Sequence, residues 1–282
     1  MKNYALILSV LINILLVKLY AQTSLTNPIS FHKIDSGLYF AEINAPIPSI
    51  IGNSKISILK IEPQNYSFHL YTASEYGKTL RTARQWADTF NLNAVFNAGM
   101  YSYKYFRKNI GYMKNYKHYN NKKVDHNLNG IIAFNPKKKN IAYFKIYDLS
   151  CHNISEINEN YNTIIQGMRM IDCKGNAVSW NRNKKMISSI IAISTDVSGN
   201  VILFFTRSPY NVNDMISFMM KLPLNINSAV YLEGGPETSL AFSKQDTLLD
   251  RFGSYVSVYR ENDTNTRFFR LPNVIGIKKQ KP

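Results

Sequence analysis

Apolar and polar residues alternate in short runs along much of the chain, which is the pattern of β-strands. Many apolar positions carry β-branched or aromatic residues, which favour strands. The runs are KISILKIEP, YSFHLYTA, LNAVFNAG, NGIIAFNP, IAYFKIYD, SSIIAISTD and NVILFFTR. The segment Asp196-Val197-Ser198-Gly199-Asn200 separates the last two runs. Because its glycine tolerates a positive φ angle, we expect a β-hairpin there.

Two further segments have the three- and four-residue spacing of amphipathic helices. In KTLRTARQWADTFN the apolar residues at this spacing are Leu80, Ala83, Trp86, Ala87 and Phe90. In YNVNDMISFMMKLPL, Asn211 stands at an N-cap position, Asp214 favours the first turn, and Pro223 ends the helix. Many strands and few helices predict an α+β fold, a single domain with a central mixed or antiparallel sheet flanked by a few helices.

Residues 1–21 have the features of a secretion signal. Lys2 precedes an apolar run from Ala5 to Val17, and Ala21 offers a cleavage site. The run is shorter than the ~20 apolar residues that a membrane span needs. No repeat or linker divides the remainder. We therefore expect one domain over residues 22–282, periplasmic or secreted, with no transmembrane span after cleavage.

The chain is basic, with 34 Lys+Arg against 18 Asp+Glu and a formal net charge of +16. A basic surface attracts acidic partners. In an exported protein these are phosphate- or carboxylate-bearing glycans and other anionic envelope polymers. Nucleic acid is not expected as a partner, because the chain lacks a recognisable motif in which aromatic and basic residues are interleaved.

The chain contains two cysteines, Cys151 and Cys173. An oxidising compartment would let them pair, and two separate buried thiols are the alternative. The sequence lacks His-Glu-x-x-His, clustered Cys/His and a Gly-x-x-x-x-Gly-Lys loop. The Asp196 hairpin departs from a calcium loop at Val201, where that loop needs glycine. We therefore predict no metal ligands and name no cofactor.

Two carboxylates stand together in YLEGGPETSL, in a chain that has few acids. Glu233 directly follows an apolar strand and precedes Gly234 and Gly235, which permit a sharp turn and a close approach of ligand to backbone. A carboxylate at the end of a buried strand is partly desolvated, and this shifts its pKa towards values useful in acid–base catalysis. The alternative is a structural ion pair for Glu233 and a helix-terminal acid for Glu237.

Asn97 and Gly99 end a second apolar strand, LNAVF, in the same manner. An asparagine side chain both donates and accepts hydrogen bonds, which suits a sugar hydroxyl or a phosphate oxygen, although an ordinary turn is the simpler reading. Arg169 interrupts the apolar segment QGMRMID. Because a buried charge needs a partner, Arg169 either pairs with Glu233 or Glu237 or binds a phosphate.

The order of the motifs NAGMY, NGIIAF, QGMRMID, DVSGNVILFFTRSPYNVNDMI and AVYLEGGPETSL resembles the phosphodiester glycosidase family. The resemblance runs from Asn93 to Phe242. It implies an α+β domain with a site at the ends of the strands that carry Asn97 and Glu233. Where the family has Leu-Asp-Gly-Gly, this chain has Leu-Glu-Gly-Gly. A family arginine in Arg-x-Ala-x-Gly has no counterpart in KKMISSIIAIS, unless Arg169 or Lys185 replaces it.

The resemblance implies hydrolysis of a sugar 1-phosphodiester, a small-molecule or glycan substrate. We expect Glu233 to act as base or nucleophile, with Glu237 as a second carboxylate and Asn97 orienting the substrate. The expected binding residues are Gly99, Arg169, Gly234, Gly235 and Thr238. The rival hypothesis is a non-catalytic envelope protein that binds anionic glycans through its basic surface.

Overall fold

The structure is a computed structural model that describes residues 28–102, 104, 108–244 and 247–280. The predicted secretion signal, residues 1–21, lies outside the described residues. Within them, no helix is long and apolar enough to cross a membrane.

The described residues form sixteen strands and three α-helices. The strands are β1 (His32–Asp35), β2 (Leu38–Asn44), β3 (Lys55–Ile61), β4 (Tyr66–Thr72), β5 (Ala94–Asn97), β6 (Met113–Asn115), β7 (His118–Asn121), β8 (Gly130–Pro136), β9 (Phe144–Asp148), β10 (Tyr161–Ile171), β11 (Ser188–Asp196), β12 (Val201–Tyr210), β13 (Ile226–Gly234), β14 (Ser239–Lys244), β15 (Thr247–Phe252) and β16 (Asn273–Lys279). The helices are α1 (Ala83–Phe90), α2 (Ile154–Asn160) and α3 (Val212–Lys221), and a 3₁₀ turn spans Gly235–Glu237.

The strands form two antiparallel sheets. The larger sheet has the order β1-β2-β3-β12-β11-β13-β10-β6-β7, with β8 and β9 joined to it through β10. The smaller sheet has the order β15-β14-β5-β16-β4. Strand β13 of the larger sheet leads through the 3₁₀ turn into β14 of the smaller one. This turn therefore connects the two sheets.

The main core lies between the two sheets. Apolar residues from both sheets share it: Leu59, Leu203 and Val230 from the larger sheet, and Phe96, Phe242 and Ile275 from the smaller one. Each strand of this core points alternate side chains inward, which accounts for the period-two pattern of the sequence.

The helices cover the outer faces of the sheets. Helix α1 buries Trp86 against Val95 and Val274 of the smaller sheet, and helix α3 buries Met215 against Phe204 of the larger one. Each of these two helices starts directly after a residue whose side chain caps its first turn. Thr82 accepts from the Gln85 N–H in a capping box before α1, and Asn211 accepts from the Asn213 N–H before α3.

The sequence predictions agree with much of this architecture. The antiparallel strands, the hairpin around Gly199 with its φ of 83°, and the two predicted helices are confirmed. The α+β assignment with one central sheet needs correction, because the domain is mostly β and has two sheets. The alternation of residues does not reveal which strands pair, and β5, β14 and β16 pair across long sequence separations.

Candidate active site

Glu233 lies near the end of β13, which pairs with β11 in the middle of the larger sheet. Its neighbour Leu232 is fully buried in the main core. The pairing register shifts next to Glu233, because Ile191 lies opposite Glu233 and Ala192 lies opposite Tyr231. A bulge of this kind re-aims the side chains at a strand end. The strand therefore delivers a half-buried carboxyl to the edge of the core.

Burial is the main cause of an unusual titration of Glu233. Burial, with a smaller contribution from the negative charge of Glu237, raises the pKa of the Glu233 carboxyl to about 8. The Gly234 N–H acts in the opposite direction, because it donates to Glu233 Oε1 at 3.0 Å. With a pKa near 8, Glu233 is mostly protonated at neutral pH. It is therefore suited to donate a proton.

The two glycines after Glu233 are required for different reasons, lack of space at Gly234 and backbone conformation at Gly235. The hydroxyl of Tyr231 and Ser188 Oγ occupy the space where a side chain at Gly234 would begin. Gly235 has a φ of 72°, which favours glycine, and a Glu237 carboxylate oxygen lies 3.7 Å from the place of its absent β-carbon. The turn therefore places the Glu237 carboxylate over the backbone of Gly235, within electrostatic range of Glu233.

Asn97, at the end of β5, holds the other side of this turn. Its Nδ2 donates to the Glu237 carbonyl at 3.0 Å, and its Oδ1 accepts from the Ser239 N–H at 2.7 Å. The side chain is 1% exposed. Both polar functions of Asn97 are therefore used by the protein backbone, and its role in the structure is to position the turn.

Thr238 and Gly99 lie beside the hydrogen bonds of Asn97. Thr238 is fully buried, and its hydroxyl has no hydrogen-bond partner among the described residues. Gly99 has a φ of 145°, and a β-carbon there would lie 2.8 Å from Asn109 Oδ1. Asn109 Oδ1 is likewise buried and without a partner in the described part of the chain. Two buried polar atoms without a described partner thus lie near the predicted site residues.

Arg169 does not pair with Glu233 or Glu237. Its Nη1 binds both carboxylate oxygens of Asp148, at 2.6 and 2.5 Å, and the Ser150 hydroxyl at 2.7 Å. Burial favours the neutral form of Asp148, but hydrogen bonds from Ser150, Arg169 and Cys173 outweigh it and lower the pKa of this carboxyl. The sequence did not indicate Asp148 as the partner, because it ends the neighbouring hairpin, 21 residues before Arg169.

Four residues near Glu233 were missed by the sequence analysis. The Tyr231 hydroxyl lies next to Ser188, and burial raises the pKa of Tyr231, with the Glu233 charge adding to the effect. The Trp180 ring packs edge-on against Tyr231 at a centroid distance of 5.3 Å, and the Arg182 guanidinium lies 5.2 Å from the Trp180 ring. Trp180 and Arg182 belong to a segment without strand or helix periodicity, so the sequence pattern gave no signal for them.

Cys151 and Cys173 form a disulfide, with 6.6 Å between their Cα atoms. Together with Asp148 they are the one group of His, Cys, Asp or Glu side chains within the described residues that lies close enough to share a metal ion. Both sulfur atoms are bonded to each other in the disulfide, and the Asp148 carboxylate is paired with Arg169. The residues present therefore do not fit a metal site.

Comparison with known proteins agrees with the resemblance seen in the motifs. The sequence profile of the phosphodiester glycosidase family matches residues 90–278. No curated protein matches the chain. A hypothetical protein from Synechocystis has a similar fold, with a TM-score of 0.62 and 14% identity, over 90% of this chain. This chain spans 64% of the length of that protein.

The catalytic domain of zebrafish N-acetylglucosamine-1-phosphodiester alpha-N-acetylglucosaminidase, auto-inhibited by its pro-peptide, also has this fold. Its TM-score is 0.59 and its identity 14%, over 90% of this chain and 87% of that domain. At such identity the likeness establishes the fold alone, and the family profile carries the assignment to a family.

Proposed function

Because the chain belongs to the phosphodiester glycosidase family, we propose that it hydrolyses a sugar 1-phosphodiester at the turn that carries Glu233 and Glu237. The observation that carries this proposal is the pair of neighbouring carboxyl groups, of which Glu233 has a pKa raised to about 8. A carboxyl with a raised pKa beside a second carboxyl is typical of sites that hydrolyse glycosidic bonds.

The raised pKa changes the role that the sequence suggested for Glu233. A protonated carboxyl donates a hydrogen bond to a phosphodiester oxygen, whereas an ionised one would repel the phosphate. We therefore assign Glu233 as the proton donor. The bond between the anomeric carbon and the phosphate oxygen breaks, and the departing phosphate receives the proton of Glu233.

Glu237 then serves as the base. Its carboxylate takes a proton from the water that attacks the anomeric carbon, so that the sugar leaves with a free hydroxyl and the phosphate as a monoester. The N–H of Gly235, in the turn between the two carboxyl groups, is assigned as a donor to the substrate. Asn97 fixes the turn through the Glu237 carbonyl and the Ser239 N–H, and this pre-organises the site.

Export is part of the proposal. It is supported by the secretion-signal features of residues 1–21 and by the disulfide between Cys151 and Cys173. Disulfides persist in oxidising compartments and are rare in the cytosol. An exported location would bring the basic protein into contact with phosphate-bearing glycans of the cell envelope.

The test is hydrolysis of N-acetylglucosamine 1-(methyl phosphate) and of the glucose and mannose analogues by the purified protein. Glu233→Gln keeps the volume of the side chain and removes its proton, so turnover should fall by roughly 10² or more. Glu237→Gln should have a similar effect. The matched control is Glu159→Gln, an exposed acid of α2, which should leave turnover unchanged.

Two results would contradict the proposal. The first is hydrolysis that persists in both Glu233→Gln and Glu237→Gln. The second is a folded wild-type protein that turns over no sugar 1-phosphodiester yet binds an anionic polysaccharide in a saturable, salt-sensitive manner. The second result would instead favour a non-catalytic glycan-binding protein of the envelope.

A further inference from the structure

A cavity of about 250 Å³ opens next to Trp180, on the face of the larger sheet that carries Tyr231. Two arginines and three asparagines contribute to its wall: Arg169, Arg182, Asn127, Asn129 and Asn181. Within the described part of the chain, no carboxylate lines it. A wall of guanidinium and amide groups favours an anion that also offers oxygen atoms for hydrogen bonds.

Arg182 supplies the net positive charge of this cavity. Its guanidinium lies over the Trp180 ring, which restricts its position, and it forms no salt bridge with any described residue. Arg169 contributes differently. Asp148 neutralises its charge, but its Nε atom is buried and has no partner among the described residues. Asp148 therefore fixes a guanidinium that still has an N–H to donate.

Contacts through Tyr231 connect the wall of the cavity to the turn that carries the carboxyl pair. Met168, which lines the cavity, lies directly opposite Tyr231 in the pairing of β10 with β13. Trp180 lines the cavity as well and packs against the Tyr231 ring. The hydroxyl end of that ring lies against Gly234, the residue after Glu233. The Tyr231 side chain therefore lies between the cavity wall and the turn.

We propose that this cavity is an anion subsite of the active site, in which Arg182 binds the phosphate group of a sugar phosphate. The Asn127, Asn129 and Asn181 side chains would bind ester oxygens or hydroxyl groups of the same ligand. The identity of the substrate rests on the proposed function, whereas the binding of a phosphate does not require turnover.

The experiment measures binding and turnover separately with the full chain. Isothermal titration with glucose 1-phosphate, inorganic phosphate and methyl glucoside gives the binding constants. Arg182→Ala should raise the Kd for both phosphates at least tenfold and leave weak binding of methyl glucoside unchanged, while Arg182→Lys should recover part of the loss. Lys138→Ala is the control, because it removes the same charge from an exposed turn between β8 and β9.

The outcomes separate the subsite from the proposed function. If Arg182→Ala binds both phosphates like the wild type and keeps its KM, while Glu233→Gln abolishes turnover, the subsite is wrong and the proposed function stands. If the wild type hydrolyses no sugar 1-phosphodiester but binds glucose 1-phosphate in an Arg182-dependent manner, the subsite stands without the hydrolysis. The melting temperature of Arg182→Ala shows whether the variant is folded. Because Arg182 is exposed, we expect the same melting temperature as for the wild type.

Discussion

Asn97 Oδ1 accepts a hydrogen bond from the backbone N–H of Ser239 at 2.7 Å, across a sequence separation of 142 residues. This bond ties β5 to the start of β14 within the smaller sheet. The preceding turn comes from the larger sheet, because Glu233 is near the end of β13. A single buried amide side chain therefore fixes the place where the two sheets meet around the carboxyl pair.

Asn97→Ala should destabilise the protein by about 1–3 kcal/mol, because it leaves the buried Ser239 N–H without a partner. The Glu237 carbonyl loses its bond from Asn97 but keeps the one from the Ser239 hydroxyl. Urea unfolding measures the change. If stability is unchanged while turnover disappears, Asn97 contacts the substrate rather than the turn.

Gly253→Ala should disturb the carboxyl pair from outside the turn. Gly253 donates its N–H to the Thr238 carbonyl at 2.8 Å, and a β-carbon at Gly253 would overlap the Gly235 carbonyl oxygen. Overpacking of this kind costs on the order of 1–3 kcal/mol and moves the backbone. We expect both turnover and the melting temperature to fall.

Gly199→Ala serves as the control for Gly253→Ala. It also adds one methyl group at a turn glycine, but its space is open and only its φ of 83° opposes the change. It should cost about 1 kcal/mol and leave turnover unchanged. Equal effects of the two substitutions on turnover would disprove the packing of Gly253 on the site.

Removal of the disulfide should lower stability by about 3 kcal/mol, the value expected for a loop of this size. Its cysteines are 22 residues apart, and Cys173 also donates its N–H to Asp148. The double substitution Cys151→Ser and Cys173→Ser is compared with the wild type by chemical unfolding, with and without a reductant. A wild-type protein whose stability does not respond to the reductant would show that the cysteines are not paired in solution.

The sequence predicted the local elements better than their arrangement. Alternation located β3, β4 and β11 almost to the residue. Apolar spacing located α1 and the Asn211 cap located α3, whereas α2 was not predicted. The division into two sheets was not predictable, because it depends on pairings such as β16 with β4 and β5 that join distant parts of the chain. Local patterns carry no information on such pairing.

The same distinction applies to the candidate site. Strand ends followed by glycine pointed to Glu233 and Asn97, because that signal is local. The hydrogen bonds of Asn97 to the turn, by contrast, result from tertiary structure and were not expected. Arg169 was singled out as a cation in need of a partner, and in the structure this partly buried side chain pairs with Asp148. Arg182 was missed, since an arginine in an irregular segment resembles any other surface charge.

Glu233 should make the protein less stable as the pH rises through the neutral range. The pKa of its carboxyl is about 8 in the folded protein, whereas an unfolded glutamate has a pKa of about 4.3. Between these two values the folded state holds one proton more than the unfolded state, so an increase in pH favours unfolding. The loss approaches about 1.4 kcal/mol per pH unit inside this window and ends above pH 8, where both states are ionised.

The variant Glu233→Gln isolates this contribution, because glutamine does not titrate and other groups cancel in the difference between the two proteins. Urea unfolding at pH 5, 6, 7 and 8 should show the variant gaining stability relative to the wild type at each step. Glu159→Gln, which replaces an exposed acid of α2, is the matched control substitution over the same range. A constant difference for Glu233→Gln would mean that Glu233 is ionised at neutral pH in the folded protein. Glu233 would then not be the proton donor, and its carboxylate would act as base or nucleophile.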